Sequence, residues 1–384
     1  MRAQDLLEDL IAQFNRNVFL GAFSFSSAEI PFIGAARPDL ADRIVVVDDI
    51  GFIFQLNEWR HAEATTIDDL EEWFASEVLR KGVKRIRQTR ELLRSYATIS
   101  LVNDLGHRVS IGPRAGDLAG VILYRTCPTM EERPLPRFHW SPTAGFVHVL
   151  RDEEYFCLSE YLVTPAEIFD YFRFRREVVS KPEFVPESVT EQALVGQYLA
   201  EEMASIPGMR FERAARSFRE DRNTAAFTFV MESLGDRIAH QEEEDADTDC
   251  YRILTELAKL SGSELRELKA QVRLTLEAVR ADRLEPPFRI ASSLSDCAFL
   301  LLPVATEFRR RAREALESIS LASRHELKSE KHVSLAMWQT GELIDIEWMF
   351  IEGPNLPDPE LDASLRRHYP FRRTSDRRLL EYFL

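Results

Sequence analysis

The chain has 384 residues, 45% of them hydrophobic, and a formal net charge of −15, which predicts two or three domains with real cores and disfavours nonspecific binding to nucleic acid except through a local basic patch. Cys127, Cys157, Cys250 and Cys297 lie far apart without CxxC spacing, which excludes a cysteine zinc frame or disulfide scaffold and predicts buried thiols in a reducing compartment. No apolar run approaches the roughly 20 residues of a membrane span and no signal-peptide pattern opens the chain, so a cytoplasmic protein is expected.

Residues 4–16 place Leu6, Leu7, Leu10, Ile11 and Phe14 on one helical face. Phe23 and Phe25 alternate with Ser24 and Ser26, as in a half-buried strand. The run 41–58 reads as a hairpin, with Asp48, Asp49 and Gly51 at its turn and Val, Ile and Phe along strands buried on both faces. From Ile67 to about Tyr96 the apolar stripe Leu70, Trp73, Phe74, Val78, Leu79, Val83, Ile86 and Leu93 predicts a long helix. Strands are expected at 98–102, 107–112, 119–125 and 145–150. Thr164-Pro165-Ala166-Glu167 opens a helix that runs to Val179.

Pro182 and Pro186 mark a first boundary, and Glu285-Pro286-Pro287 a second. Between them the chain reads as mainly helical, with an exposed acidic loop over 241–249. Beyond them, strands are expected at Cys297–Val304, His332–Trp338 and Leu343–Ile351, with an arginine-rich helix over 306–322. The expected organisation is α+β: an N-terminal mixed β-sheet flanked by helices over 1–182, a helical region over 183–284 and a small α+β unit over 285–384.

Several charged clusters have two readings. The stretch from Arg80 to Arg94 carries seven cations and one acid. It is either a phosphate-binding surface or a solvated face balanced by the acids upstream, with its cations favoured at the helix C-terminus. Arg173, Arg175 and Arg176, set among Tyr171, Phe172 and Phe174, either stack on bases or lay their stems along a core helix. The runs Arg309-Arg310-Arg311, Arg372-Arg373 and Arg377-Arg378 are expected to pair with nearby acids or a partner surface. Asp345 and Glu347 are either a second metal site or solvent-face acids. His325 and His332 lack ligand spacing and are expected at the surface. Asp42 is a candidate ligand, a turn or cap carboxylate, or an ion partner of Arg43. Gln55 and Asn57 share one side of their strand, as a site pair or as exposed polar positions at a strand end.

The order helix, strand, strand with an acid, strand with a spaced polar pair, helix resembles the restriction-endonuclease-like superfamily, the PD-(D/E)XK nucleases, over about residues 1–130. The resemblance places Asp42 at the first metal-binding carboxylate, and Gln55 and Asn57 where Glu or Asp and Lys stand in that family. Glu8 or Glu29 would supply an accessory acid, and Lys84 of the following helix would replace the missing lysine. It implies Mg²⁺ held weakly by Asp42 and Gln55, since a carboxamide brings no charge to a hard cation. It also implies DNA contact through Lys81, Lys84, Arg85 and Gln88, which share a helix face. The expected function is a nuclease-like protein acting on or binding DNA, with a degenerate active site and a role in prokaryotic antiviral defence. The alternative is a non-catalytic interaction subunit that binds a partner protein.

Overall fold

The computed structural model describes residues 18–32, 38–48, 50–59, 66–112, 118–126, 135–159, 161–182, 184, 189–202, 207–219, 222–240, 248–292, 295–367 and 369–371. The helix expected over 4–16, with Glu8, lies outside these, as do Cys127, most of the acidic loop and the arginines beyond residue 371. The protein is α+β and divides into two compact units near residue 220. The helical region expected over 183–284 is shared between them.

The first unit is built on a mixed sheet. Helix α1 (Val18–Phe23) leads into β1 (Ser24–Ser26). The hairpin β2 (Arg43–Val47) and β3 (Ile50–Glu58) turns at Asp48, whose φ of 51° is the left-handed conformation that tight hairpins require. A helical run follows in three parts: α2 (Ile67–Trp73), a π-helix (Phe74–Lys81) and α3 (Gly82–Arg94). Strands β4 (Ile99–Val102) and β5 (Arg108–Ile111) pair with each other as a separate two-stranded sheet. Strands β6 (Ala119–Arg125), β7 (Phe138–Ser141) and β8 (Gly145–Arg151) complete the sheet, in the order β1-β2-β3-β6-β8-β7. The first three strands are antiparallel, β3, β6 and β8 run parallel, and β7 closes the edge antiparallel to β8.

Side-chain alternation splits this sheet into two apolar faces. Ile53, Ile122 and Val147 face Phe74, Val78 and Ile86 of the long helical run. Phe54 and Phe52 face α4 (Asp152–Ser159) and α5 (Pro165–Val179): Phe54 packs on Tyr155 and Phe52 on Phe172, with centroids 5.5 and 5.8 Å apart. Thr164 and Glu167 form the expected capping box.

Arg175 of α5 lies in the core rather than along the helix edge, and it is fully buried. Its Nε donates to Glu191 Oε1 at 2.7 Å, and its other nitrogens donate to the Arg137 and Val149 carbonyls. Arg137 and the Tyr171 hydroxyl also donate to Glu191. Burial pushes the Glu191 carboxyl up, but Arg175 and Arg137 outweigh it and hold the group below its usual range. Glu191 opens α6 (Glu191–Leu199), where the helix dipole also favours an anion. Arg137 also donates to Glu154 at 3.1 Å, so the network ties α6 to the sheet through two cations and two anions.

In the second unit, helices α8 (Arg222–Ala239), α9 (Asp249–Ala258) and α10 (Gly262–Arg280) precede a four-stranded sheet. Its strands are β9 (Phe288–Ala291), β10 (Cys297–Val304), β11 (Lys331–Thr340) and β12 (Leu343–Glu352), in the order β12-β11-β10-β9. The predicted arginine-rich helix begins as a 3₁₀ turn (Thr306–Arg311) and continues as α11 (Ala312–Leu327), whose Leu316 packs on Leu300 and Leu302. A short helix, α12 (Pro359–Arg367), follows. Glu347 pairs with Arg313 at 3.0 Å and Arg237 at 3.3 Å, and Asp345 accepts from Thr340. These acids thus act as solvent-face residues. His332 is not at the surface: it is buried in β11, its Nδ1 2.8 Å from Ser334 Oγ, on the sheet face that α11 covers, where Ser320 donates to Ser334 at 2.6 Å. Among the described residues no helix is long and apolar enough to cross a membrane.

Two predictions follow from this packing. A Cβ at Gly196 would stand 1.9 Å from the Phe211 carbonyl oxygen, where α6 meets helix α7 (Met209–Arg219). Backbone cannot swing aside as a side chain can, so Gly196→Ala should destabilise the protein by about 3 kcal/mol in urea unfolding. A variant within about 0.5 kcal/mol of wild type would contradict the close approach.

The second prediction concerns acid. His148 is buried with Nδ1 3.3 Å from Arg175 Nη1, and a guanidinium can only donate, so the imidazole accepts there and is neutral. Burial, then the Arg175 and Arg176 charges, hold its pKa well below 6.5, and His332 is likewise pushed down to about 3. Below about pH 6.5 the unfolded chain takes up protons that these histidines refuse in the native state. The urea midpoint should therefore fall from pH 7.5 to pH 5.5, and less steeply in His148→Asn and His332→Asn. A wild-type midpoint constant over that range would contradict it.

Candidate functional site

Asp42 immediately precedes β2 and lies opposite Gln55, continuing the register in which Arg43 faces Phe54. Its N–H donates to the Phe54 carbonyl at 3.0 Å, and its carbonyl accepts from Ser27 at 3.1 Å. One carboxylate oxygen, Oδ2, accepts from Gln55 Nε2 at 2.7 Å and from the Leu56 N–H at 2.6 Å. Arg43 does not pair with it; that guanidinium is bonded to Asp104 and Ser24. Asp42 is thus the cap carboxylate of the hairpin's open end, and it also meets Gln55.

Gln55 is fully buried rather than exposed at a strand end. Its amide nitrogen also donates to the Leu56 carbonyl at 2.9 Å. Both neighbours are acceptors, so the carboxamide can take only this orientation. Its Oε1 is buried without a hydrogen-bond partner among the described residues, as is Asn57 Nδ2 two residues along the same side of β3. A Cβ at Gly82 would stand 3.4 Å from Gln55 Cγ and 2.9 Å from Ile122 Cδ1, so glycine lets the helix lie directly on this pair.

The basic helix is fastened beside Asp42. Thr89 Oγ1 accepts from the Ala41 N–H at 2.8 Å, and Arg85 pairs with Asp39 at 2.9 Å. Lys81 pairs with Glu77 at 2.6 Å across the surface, and Gln88 is half-buried with its Oε1 unpartnered among the described residues. Lys84 is exposed, with no hydrogen bond or ion pair to Asp42 among the described residues. Glu29 is exposed on a 3₁₀ turn. The structure therefore brings Asp42, Gln55 and Leu56 into contact and leaves Lys84 on the outer helix surface. The π-helix over Phe74–Lys81, whose Phe74 packs edge-on to Tyr124 at 5.2 Å, was not visible in the apolar stripe.

This donor set does not fit Mg²⁺. The ion takes carboxylate, carbonyl and water oxygens. Here an Asp42 oxygen and the Leu56 carbonyl converge on one point, and an amide nitrogen already occupies it. Among the described residues no group of three His, Cys, Asp or Glu side chains could hold a metal.

No family model, curated protein or solved structure matches this chain.

Removing the Asp42 carboxylate would leave the Leu56 N–H and the buried Gln55 amide without their shared acceptor. Asp42→Ala should therefore cost about 2–3 kcal/mol of stability, and Asp42→Asn less, since one oxygen remains. An Asp42→Ala variant as stable as wild type in urea titration would rule out the clamp.

Proposed function

We propose that the N-terminal unit is a nuclease-derived domain that binds DNA without hydrolysing it. The observation that carries this reading is the 2.7 Å bond from Gln55 Nε2 to Asp42 Oδ2. A nuclease would need a cation between this carboxylate and the adjoining oxygens, to lower the pKa of water and to stabilise charge on phosphate. A neutral N–H donor serves the carboxylate instead, and it supplies neither effect.

The descent is supported by the arrangement around the pair. Asp42 and Gln55 lie opposite each other on adjacent strands, and the helix after β3 lies on the same sheet face as Gln55, the order on which the nuclease resemblance rests. The binding part is supported by Lys81, Lys84 and Arg85. Lys84 is exposed, and the Lys81–Glu77 pair is half open to solvent. Such a pair contributes at most about 1 kcal/mol, so a phosphate can displace it.

The test combines activity with metal linkage. Wild-type protein should leave DNA intact with Mg²⁺ or Mn²⁺, bind it more weakly as salt rises, and show no divalent-dependent change in melting temperature. Gln55→Glu restores a second carboxylate beside Asp42 and the Leu56 carbonyl. That variant should melt lower without metal and gain several degrees with Mn²⁺. Wild-type cleavage that requires divalent metal and disappears in Asp42→Ala would overturn the reading.

A further inference from the structure

The far end of the same sheet carries a different chemistry. There, a groove of about 630 Å³ opens around the first residues of β6 and β8. Arg90 and Arg94 enter from the last turns of α3, and Arg173 and Arg176 from α5 on the opposite sheet face. Trp140 and Phe146, directly opposite each other on β7 and β8, supply its aromatic wall. No Asp or Glu is among the described residues that line it. In a chain of net charge −15, four guanidinium groups lining one groove is a local reversal of sign.

Each group is held where it can act. The Arg90 guanidinium donates to the Ala144 carbonyl at 2.5 Å and the Leu118 carbonyl at 2.8 Å, which fixes its charge at the sheet end. Arg176 lies over the Phe146 ring at 5.6 Å, with no carboxylate partner among the described residues. Arg173 is 71% exposed and reaches Asp170 only at 3.9 Å. Trp140 is 62% exposed on an edge strand, where a large apolar ring gains nothing from water. Phe138 stacks on Phe146 with ring planes 10° apart, which stiffens the wall beside it.

We propose that this groove binds a nucleotide unit of nucleic acid, with the base stacked on Trp140 and the phosphate among the arginines. An open ring beside arginine charges is how sequence-tolerant single-strand sites are built. Duplex bases are already stacked, so an unpaired base is the better fit to Trp140. The inference rests on the DNA-binding reading and moves its main contact from the Lys81–Lys84–Arg85 face to the opposite end of the sheet.

The test measures binding of a fluorescent oligo(dT) by the full-length protein, using anisotropy at low salt. Arg173→Glu/Arg176→Glu alters two exposed side chains and should weaken binding at least tenfold and flatten its salt dependence. Trp140→Ala should weaken it about tenfold while changing the salt dependence little. Unlabelled competitors identify the source of the ligand. Displacement by dTMP at concentrations matching the oligomer's nucleotides supports a site for free nucleotides, and displacement by the oligomer alone supports a strand. Equal displacement by polyglutamate would mean a generic polyanion surface and would overturn the proposal. Groove variants that bind like wild type, while Lys81→Glu/Lys84→Glu/Arg85→Glu does not, would overturn it and leave the DNA-binding reading standing. A wild-type protein that binds no oligomer would end both.

Discussion

Asp42 Oδ2 receives two donors from strand β3, and the open end of the hairpin is organised around that oxygen. The main-chain ladder between β2 and β3 ends at Arg43 opposite Phe54. Beyond it, the Leu56 N–H would have lost its partner on that side, and the carboxylate takes the place of a carbonyl. Gln55 is then drawn inward, where a polar amide can be buried only if its nitrogen finds acceptors. Glycine at position 82 lets α3 lie on it, and Thr89 and Arg85 tie that helix to the segment leading into Asp42. The hairpin end, the segment before it and the helix therefore meet at one place.

This arrangement also decides what the site can do. Asp42 Oδ2 is engaged by two N–H groups, and a cation would have to displace a buried amide to reach that oxygen. Elsewhere in the unit, charge is handled in two ways. Arg175 and Arg137 are neutralised within the fold by Glu191 and Glu154, a pairing that uses their charge for structure. Arg173 and Arg176, on the same helix as Arg175, are exposed and line a groove with Arg90 and Arg94 beside an exposed tryptophan. The first group holds the sheet to α6; the second gives an acidic protein its cationic groove.

Much of this was legible from residue order. The hairpin could be read because Val, Ile and Phe run on both sides of an Asp-Asp turn, and α5 because Thr164 and Glu167 bracket a proline. The pairing of Asp42 with Gln55 was readable as two polar positions at the end of one hairpin. Their bond was not, because it depends on register. Strand β7 gives little signal: Phe138-His139-Trp140-Ser141 alternates, but over only four residues and with its tryptophan exposed. The Arg137–Arg175–Glu191 network was invisible because its members stand far apart in sequence. His332 reads as a surface residue because its burial comes from α11 lying on its sheet face, a contact between elements that no local pattern reveals. The gathering of four arginines was hidden for the same reason: two helices reach one groove only once the sheet between them is formed.

The carboxamide signals of Gln55 report on the clamp directly. In an NMR spectrum of the protein labelled with ¹⁵N at glutamine side chains, one amide pair should exchange slowly with solvent and vanish in Gln55→Glu. On addition of Mg²⁺ in millimolar excess, its shifts and its protection should stay as they were. Loss of protection, or a saturable shift of that pair as Mg²⁺ is added, would mean that a cation displaces the amide from Asp42 and that the metal site survives.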